Sequence, residues 1–276
     1  MKKILFVLIT CSLDKSRDDV FEKVSKNIFQ LEKKFRFFED FIVFDNASTF
    51  KKTKSNLKKF PKVFKSSKNI GLWGAIIWLL NNYKKYLKKE YSYLYFMESD
   101  CFHFDLDKLI EAEYYLDNNN DIGSIRCQKF SVLFKFLYDK DLFFSKFVND
   151  AIRLKSYPTN VKAYFNKILS SNNLYKSNLH PKIVGLNRIE VLKKIFNKLS
   201  KNDLITEKDF FCEYWKYYKE IGIINGGTMT EIANRNHHGK IFRASDVSTM
   251  DGYKKGYLDV RTAKLIKDGF TINFSE

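Results

Sequence analysis

Residues 91–100 read YSYLYFMESD, an apolar run that ends abruptly at two carboxylates. The first seven of these residues, 91–97, are typical of a strand buried on both faces of a sheet. Glu98 and Asp100 are two residues apart, so on an extended chain their side chains point to the same side. Two adjacent carboxylates repel each other unless a cation lies between them, and oxygen ligands suit Mg²⁺ or Mn²⁺. A solvated strand end followed by a helix cap is the alternative interpretation.

Strand-like and helix-like segments alternate on the N-terminal side of this stretch. Strands are predicted over 3–11, 41–44 and 62–65, and helices over 18–35 and 71–87. This order predicts an α/β fold, a Rossmann-like mixed, mostly parallel sheet flanked by helices. Such sheets bind ligands beyond the carboxyl ends of their strands. The polar residues at those ends are therefore the candidate site.

The C-terminal half is less regular in sequence. Residues 133–179, rich in Phe, Lys, Tyr and Asn, match neither a helical nor a strand period. No repeat or linker interrupts the chain, so we expect a single domain over 1–276. The remaining predicted elements are helices over 108–116, 191–199 and 208–220, a strand over 122–132, and a strand or hairpin over 221–232.

The first ten residues, MKKILFVLIT, fit either a short secretory signal or a first strand. The apolar run is too short for a confident signal and lacks a small-residue cleavage pattern, which favours the strand. The cysteines show no paired spacing, consistent with reduced thiols and a cytoplasmic location. No stretch approaches the roughly 18 uninterrupted apolar residues of a membrane span. The four cysteines are Cys11, Cys101, Cys127 and Cys212.

The chain is strongly basic, with 49 Lys and Arg against 32 Asp and Glu and a formal net charge of +17. Only 8 of the basic residues are arginine, the residue that pairs bidentately with phosphates and base edges. We therefore expect no specific nucleic-acid partner, although a basic nucleic-acid-binding protein stays an alternative.

Two further polar segments follow predicted strands. Asp45-Asn46-Ala47-Ser48 is either an ordinary turn or a site where Asp45 accepts from a base N–H or a ribose hydroxyl. Asn69-Ile70-Gly71 opens a helix, where a glycine lets the backbone approach a ligand and the helix N-terminus favours anions. Helix packing explains that glycine equally well.

Together these segments resemble the GT-A fold glycosyltransferases, in particular the family 2-like inverting enzymes that use nucleotide-diphosphate sugars. The resemblance covers roughly residues 3 to 105, with Glu98-Ser99-Asp100 where the family has Asp-x-Asp. It implies that 1–105 binds a UDP- or GDP-linked sugar, and that 106–276 binds the acceptor and carries catalysis. The implied nucleotide-binding residues are Thr10, Ser12, Arg17, Asp45, Asn46, Asn69, Gly71 and Ser99.

The resemblance also implies a divalent metal on the diphosphate, Mn²⁺ or Mg²⁺, held by Asp100 with Glu98 nearby. The longer side chain of Glu98 leaves open whether it touches the metal and whether the metal is essential. His238, in Asn236-His237-His238-Gly239, is a further metal candidate, although a loop histidine is more often an ordinary surface residue.

An acidic cluster at the predicted start of a helix, residues 206–213, corresponds to the catalytic segment of the family. An inverting transfer needs a carboxylate that takes the proton of the acceptor hydroxyl. Asp209 is the first candidate, then Glu207, then Glu213. In the alternative interpretation Thr206 is an N-cap, and Glu207 and Asp209 are first-turn acids that stabilise the helix dipole.

The acceptor that the resemblance implies is a glycan or a lipid-linked molecule. The Phe- and Lys-rich stretch over 130–175 suits either a peripheral contact with the inner face of a membrane or an amphipathic helix packed on the sheet, which we prefer. A nucleotidyltransferase is a further alternative, but it needs a Gly-rich loop after the first strand, and 10–14 contain no glycine.

Overall fold

The computed structural model describes residues 3–13, 15–127, 166–168, 173–178, 181–224, 229–231, 267 and 269–276. The helices are α1 (Lys15–Phe35), α2 (Lys51–Leu57), α3 (Gly71–Leu87), α4 (Lys108–Asn118), α5 (Ile189–Leu199) and α6 (Glu207–Tyr214). A short 3-10 helix covers Phe38–Asp40. The strands are β1 (Ile4–Thr10), β2 (Phe41–Asp45), β3 (Val63–Ser66), β4 (Tyr93–Glu98), β5 (Cys101–His103), β6 (Ser124–Cys127), β7 (Asn166–Lys167), β8 (Leu174–Ser177), β9 (Gly185–Arg188), β10 (Ile221–Ile224), β11 (Met229–Glu231) and β12 (Ile272–Ser275).

β1 is buried along its whole length because both faces of the sheet are covered. Its alternate side chains enter two separate hydrophobic layers, with Phe6 and Leu8 on one side and Val7 and Ile9 on the other. Helices α1 and α4 cover the first side, and α3, α5 and α6 cover the second. The strand prediction for the first residues is thus confirmed.

Ten strands form one mixed sheet in the order β12-β3-β2-β1-β4-β9-β6-β10-β8-β7. The pairings β3-β2, β2-β1 and β1-β4 are parallel, and β9 is antiparallel to both β4 and β6. Counted from these pairings, seven of the ten strands run in the direction of β1. The predicted mixed, mostly parallel sheet flanked by helices is confirmed.

Most predicted elements differ from the structure by at most three residues at an end, and three others need separate mention. The strand predicted over 122–132 is β6, of which the described residues are Ser124–Cys127. The predicted hairpin over 221–232 does not form, because β10 joins the large sheet and β11 pairs with β5 in a separate two-stranded sheet. The helix predicted over 208–220 ends at Tyr214, whose hydroxyl donates to the Glu220 carbonyl across the turn that follows.

None of the helices in the described part of the chain is long and apolar enough to cross a bilayer. All four cysteines are free of disulfides, and three of them are buried, which agrees with the thiols expected from the sequence. The stretch over 130–175 lies almost entirely outside the described residues.

Candidate functional site

The carboxyl ends of β1, β2 and β4 lie side by side at one edge of the sheet. In the parallel register, Thr10 is opposite Asp45 of β2, and Ile9 is opposite Glu98 of β4. The two acidic turns that the sequence places 55 residues apart therefore flank the end of β1. Because parallel strands present their carboxyl ends at the same edge, this is where a ligand of such a sheet binds.

Glu98, Asp100 and Cys101 form a compact donor cluster at the end of β4. One ligand atom of each lies within 4.8 Å of the others. Glu98 and Asp100 are partly exposed, whereas Cys101 is buried, so the two carboxylates are the side of the cluster that solvent reaches. Ser99 lies between the carboxylates in the same turn and is also partly exposed. A divalent cation fits this set, since carboxylate oxygens at this spacing can share one ion.

Asp45 ends β2 and is held by its own turn. Its Oδ1 accepts from the backbone N–H of Ser48 at 2.9 Å, and the chain reverses through Ala47, which has a φ of 63°. Burial raises the pKa of the Asp45 carboxyl, and the hydrogen bonds from Ser48 and the charge of Lys65 oppose that shift without cancelling it. A buried carboxylate is a strong acceptor for a ligand N–H or O–H because little water competes for it.

Asn46 connects the β2 turn to the start of α3. It is fully buried, its Oδ1 accepts from the Ile70 N–H at 2.8 Å, and its Nδ2 donates to Asn69 Oδ1 at 2.9 Å. The same Asn69 oxygen accepts from the Gly71 N–H at 2.9 Å. Gly71 has a φ of 74°, in the left-handed region, so the turn into α3 favours glycine at this position. Asn46 and Asn69 thus shape the site through the backbone that they hold.

A hydroxyl network fixes the loop after β1. The Ser12 N–H donates to Ser48 Oγ at 2.8 Å, and Thr53 Oγ1 donates to Ser12 Oγ at 2.8 Å. Asp18 accepts from the Thr53 N–H at 2.6 Å, which caps the start of α2 from α1. Sequence reasoning missed Ser48, Thr53 and Asp18 in this network, because their partners lie 34 to 41 residues away in the chain.

Thr10 and Arg17 lie at the same edge. The Thr10 hydroxyl is buried, and among the described residues it has no hydrogen-bond partner. Arg17, in the first turn of α1, donates from Nη1 to the Cys11 carbonyl at 3.5 Å. Both predicted residues are therefore present where the strand ends.

Asp209 lies in the first turn of α6 and forms a capping box with Thr206. Asp209 Oδ2 accepts from the Thr206 N–H at 2.7 Å and from its hydroxyl at 2.8 Å, and the Asp209 N–H donates to Thr206 Oγ1 at 3.2 Å. The prediction that Thr206 is the N-cap of this helix is thus confirmed. Both accepted bonds use Oδ2, so within the described part of the chain Oδ1 keeps its capacity to accept a proton.

Glu213 has a different environment from Asp209. Its side chain is buried, and its oxygens pair with Lys198 at 2.8 Å and Lys216 at 2.5 Å. Burial acts to raise the pKa of this carboxyl, but the two lysines outweigh burial and lower it. Glu213 consequently forms one ion pair with α5 and one with Lys216, just after α6.

One aromatic contact joins α6 to the start of α3. Phe210 stacks on Trp73 with ring centroids 5.8 Å apart, and Trp73 is two residues from Gly71. The first turns of α6 and α3 are therefore adjacent. His238 lies outside the described residues, and for Glu207 only the backbone at the start of α6 is described.

No family model matches the sequence, and no curated protein matches it. Among solved structures, S. aureus TarS 1-349 has 14% identity and a TM-score of 0.49, with 94% of this chain and 70% of that chain covered. The same protein in complex with UDP-GlcNAc has 13% identity and a TM-score of 0.46, over 82% and 57%. The mannose-1-phosphate geranyltransferase from Thermus thermophilus has 8% identity and a TM-score of 0.37, over 84% and 77%.

The chain spans 42% of the longer solved TarS chain. At these identities and TM-scores, the similarity assigns neither a family nor an activity to this chain.

Proposed function

We propose that this chain is a glycosyltransferase that binds a nucleotide-diphosphate sugar at the carboxyl edge of β1, β2 and β4. One observation carries the proposal: the turn with Asp45 and the turn with Glu98 and Asp100 flank β1 at the same edge of the sheet. A nucleotide sugar needs an acceptor for its base or ribose and a positive counterpart for its diphosphate. These two turns supply positions for both.

The nucleoside end would lie against Asp45 and Thr10. The buried carboxylate of Asp45 would accept from the base N–H or a ribose hydroxyl, and the Thr10 hydroxyl would gain a partner in the ligand. Ser12 and Arg17 lie at the loop after β1, and Asn46 and Asn69 fix the Gly71 turn, where the α3 N-terminus would meet the ligand. Either uracil or guanine is compatible with this arrangement as the base of the nucleotide.

The diphosphate end would lie at Glu98, Ser99 and Asp100. Glu98 and Asp100 would hold Mn²⁺ or Mg²⁺, because the two carboxylates are close together and reach solvent. When bound, such an ion neutralises the charge that develops on the departing diphosphate. His238 remains a candidate further ligand.

Transfer with inversion would use Asp209 as the general base. Its Oδ2 is fixed by Thr206, which orients the carboxylate, and Oδ1 would take the proton of the acceptor hydroxyl as that oxygen attacks the anomeric carbon. Glu207 is the alternative base. Glu213 is the weaker candidate because two lysines occupy its carboxylate. The acceptor would be a glycan or a lipid-linked molecule, at a cytoplasmic site or the inner face of a membrane.

Thermal unfolding with nucleotides tests the binding half of the proposal. We expect UDP or GDP to raise the Tm of the full chain only when Mn²⁺ or Mg²⁺ is present. Asp100→Asn should abolish this response, because it removes one negative charge from the cluster while keeping the side-chain shape. Asp203→Asn is the matched control, since Asp203 is a 76% exposed surface aspartate that contacts Lys267.

Two results would oppose this proposal. The first is no stabilisation of the wild-type chain by any nucleotide with any divalent ion. The second is a full response in Asp100→Asn. Steeply salt-dependent association with RNA, retained in Asp100→Asn, would instead support the nucleic-acid-binding alternative.

A further inference from the structure

Cys101 begins β5 directly after the acidic turn, and its thiol faces both carboxylates. Sγ lies 3.5 Å from Glu98 Oε2 and 3.6 Å from Asp100 Oδ1, while the residue as a whole is 1% exposed. A thiol carries one proton and can donate to only one of the two carboxylates at a time. The sulfur and the two carboxylates are therefore close neighbours in one cluster.

The separations match those of ligands on one metal ion. With a metal–sulfur bond of about 2.3 Å and a metal–oxygen bond of about 2.1 Å, a tetrahedral ion places the two donor atoms about 3.6 Å apart. Both measured sulfur–oxygen distances agree with this value. The ligand atoms of the cluster lie within 4.8 Å of one another, so the partly exposed side chains of Glu98 and Asp100 would draw together to bind a single ion.

The backbone that carries Cys101 is fixed from two sides. β5 pairs with β11, and the backbone of His103 exchanges two hydrogen bonds with the Asn27 side chain, at 2.9 Å and 3.0 Å. The His103 ring is buried and bonds the Tyr95 hydroxyl at 3.1 Å through Nδ1. The sulfur is therefore held against the carboxylates before any ion arrives, and a preorganised ligand loses less entropy on binding.

We propose that Cys101 is a third ligand, a sulfur ligand, of the divalent ion held by Glu98 and Asp100, and that the site consequently favours thiophilic ions such as Zn²⁺ and Cd²⁺ over Mg²⁺. The inference rests on the proposed function for the position of the metal and adds the chemistry of its ligands. On binding, the thiol releases its proton to solvent and a sulfur–metal bond forms, with no change of oxidation state. Soft thiolate donors select such ions, whereas carboxylates alone suit Mg²⁺ and Mn²⁺.

Cadmium titration of the full chain tests this directly, because a cadmium–thiolate bond gives a charge-transfer absorbance in the ultraviolet. We expect the band to saturate at one Cd²⁺ per chain in the wild type and to be lost in Cys101→Ser. Cys212→Ser is the control for adventitious thiol binding, since Cys212 is the most accessible of the four cysteines, and it should keep the band. We also expect Zn²⁺ to bind Cys101→Ser about tenfold more weakly, with Mg²⁺ binding changed less than about twofold.

An unchanged cadmium band in Cys101→Ser would overturn the inference, and so would equal losses of Zn²⁺ and Mg²⁺ affinity. Far-ultraviolet circular dichroism of each variant excludes unfolding as the cause. This test and the nucleotide test fail separately. A Cys101-dependent band without any nucleotide response would contradict only the transferase proposal. A metal-dependent nucleotide response with no role for Cys101 would contradict only the assignment of a sulfur ligand.

Discussion

Asn46 determines the geometry of the site through buried hydrogen bonds. Its side chain accepts from one backbone N–H and donates to Asn69, and none of it is exposed. When a buried N–H loses its acceptor, its desolvation is no longer compensated by a hydrogen bond, and the folded state is destabilised. The stability of the β2 turn and that of the start of α3 are therefore coupled through Asn46.

Asn46→Ala should lower the free energy of unfolding by about 1 to 3 kcal/mol, because the buried Ile70 N–H is left without an acceptor. Urea denaturation measures the change. Asn82→Ala is the matched control: Asn82 lies on α3, its side chain donates to the Trp78 carbonyl, and alanine favours helix, so we expect a change within about 0.5 kcal/mol. Equal losses in both variants would contradict the proposed role of Asn46.

The buried carboxyl of Asp45 is expected to make the protein less stable as the pH rises. Burial raises the pKa of its carboxyl in the native state, so the native state holds this proton more tightly than the unfolded state does. The contribution of Asp45 to stability therefore falls as pH rises from the ordinary aspartate value of 3.8 through the native pKa. At neutral pH, above that window, the ionised Asp45 carboxylate has its full destabilising effect on the folded state.

Asp45→Asn keeps an oxygen for the Ser48 N–H and removes the buried charge. We expect this variant to be more stable than the wild type at neutral pH, with the advantage shrinking as the pH is lowered towards 4, and to respond less to nucleotide. Chemical denaturation at several pH values measures the first effect. A stability difference that is independent of pH, or that grows in acid, would contradict the assignment.

At the scale of the element, α6 combines a helix cap with the proposed base. Asp209→Asn retains an oxygen for Thr206, so we expect stability within about 1 kcal/mol of wild type and transfer reduced at least about a hundredfold. Thr206→Ala is the complementary variant. It removes the hydroxyl cap, with a loss of about 1 kcal/mol, but keeps the backbone N–H that donates to Asp209 Oδ2, so transfer should fall much less. Sugar transfer and urea denaturation are measured for both, and Asp209→Asn with near-normal transfer would move the role to Glu207.

Elements differ in how far the sequence predicts them. Helix α3 has the predicted bounds because its apolar period is continuous and its first residue is a glycine. Helix α2 has no such signal: its seven residues, KKTKSNL, lack an apolar period, and its cap comes from Asp18 on α1. Strand β9 was missed because Asn187 and Arg188 look exposed, yet both are buried and donate to backbone carbonyls. Local pattern predicts the elements that do not depend on distant partners.

The candidate site follows the same rule. Its acidic turns were predictable because each ends a strongly apolar strand. The sulfur at Cys101 and the hydroxyls of Ser48 and Thr53 gain their relevance only from neighbours that the fold supplies.

At the scale of the whole molecule, the two halves of the chain share one sheet. β9 pairs with β4, and β12 pairs with β3, so strands from 106–276 lie on both sides of the strands from 1–105. We therefore propose that the chain is a single cooperative domain. Differential scanning calorimetry should show one transition whose calorimetric and van't Hoff enthalpies agree, whereas two resolved transitions would contradict this proposal.

The net charge of +17 also acts at this scale. If the proposed function holds, this charge would raise the local concentration of a doubly anionic nucleotide sugar, an effect that weakens with salt. The carboxylates at the ends of β2 and β4 carry the proposed chemistry.

Hydrolysis of a panel of UDP- and GDP-linked sugars is the most direct measurement of the central claim, because slow hydrolysis reports the donor without knowledge of the acceptor. We expect the wild-type chain to hydrolyse at least one donor in the presence of a divalent ion, and Asp100→Asn to lose that activity while Asp203→Asn retains it. No hydrolysis of any donor with any divalent ion, or equal hydrolysis by Asp100→Asn, would contradict the assignment of a nucleotide-sugar transferase.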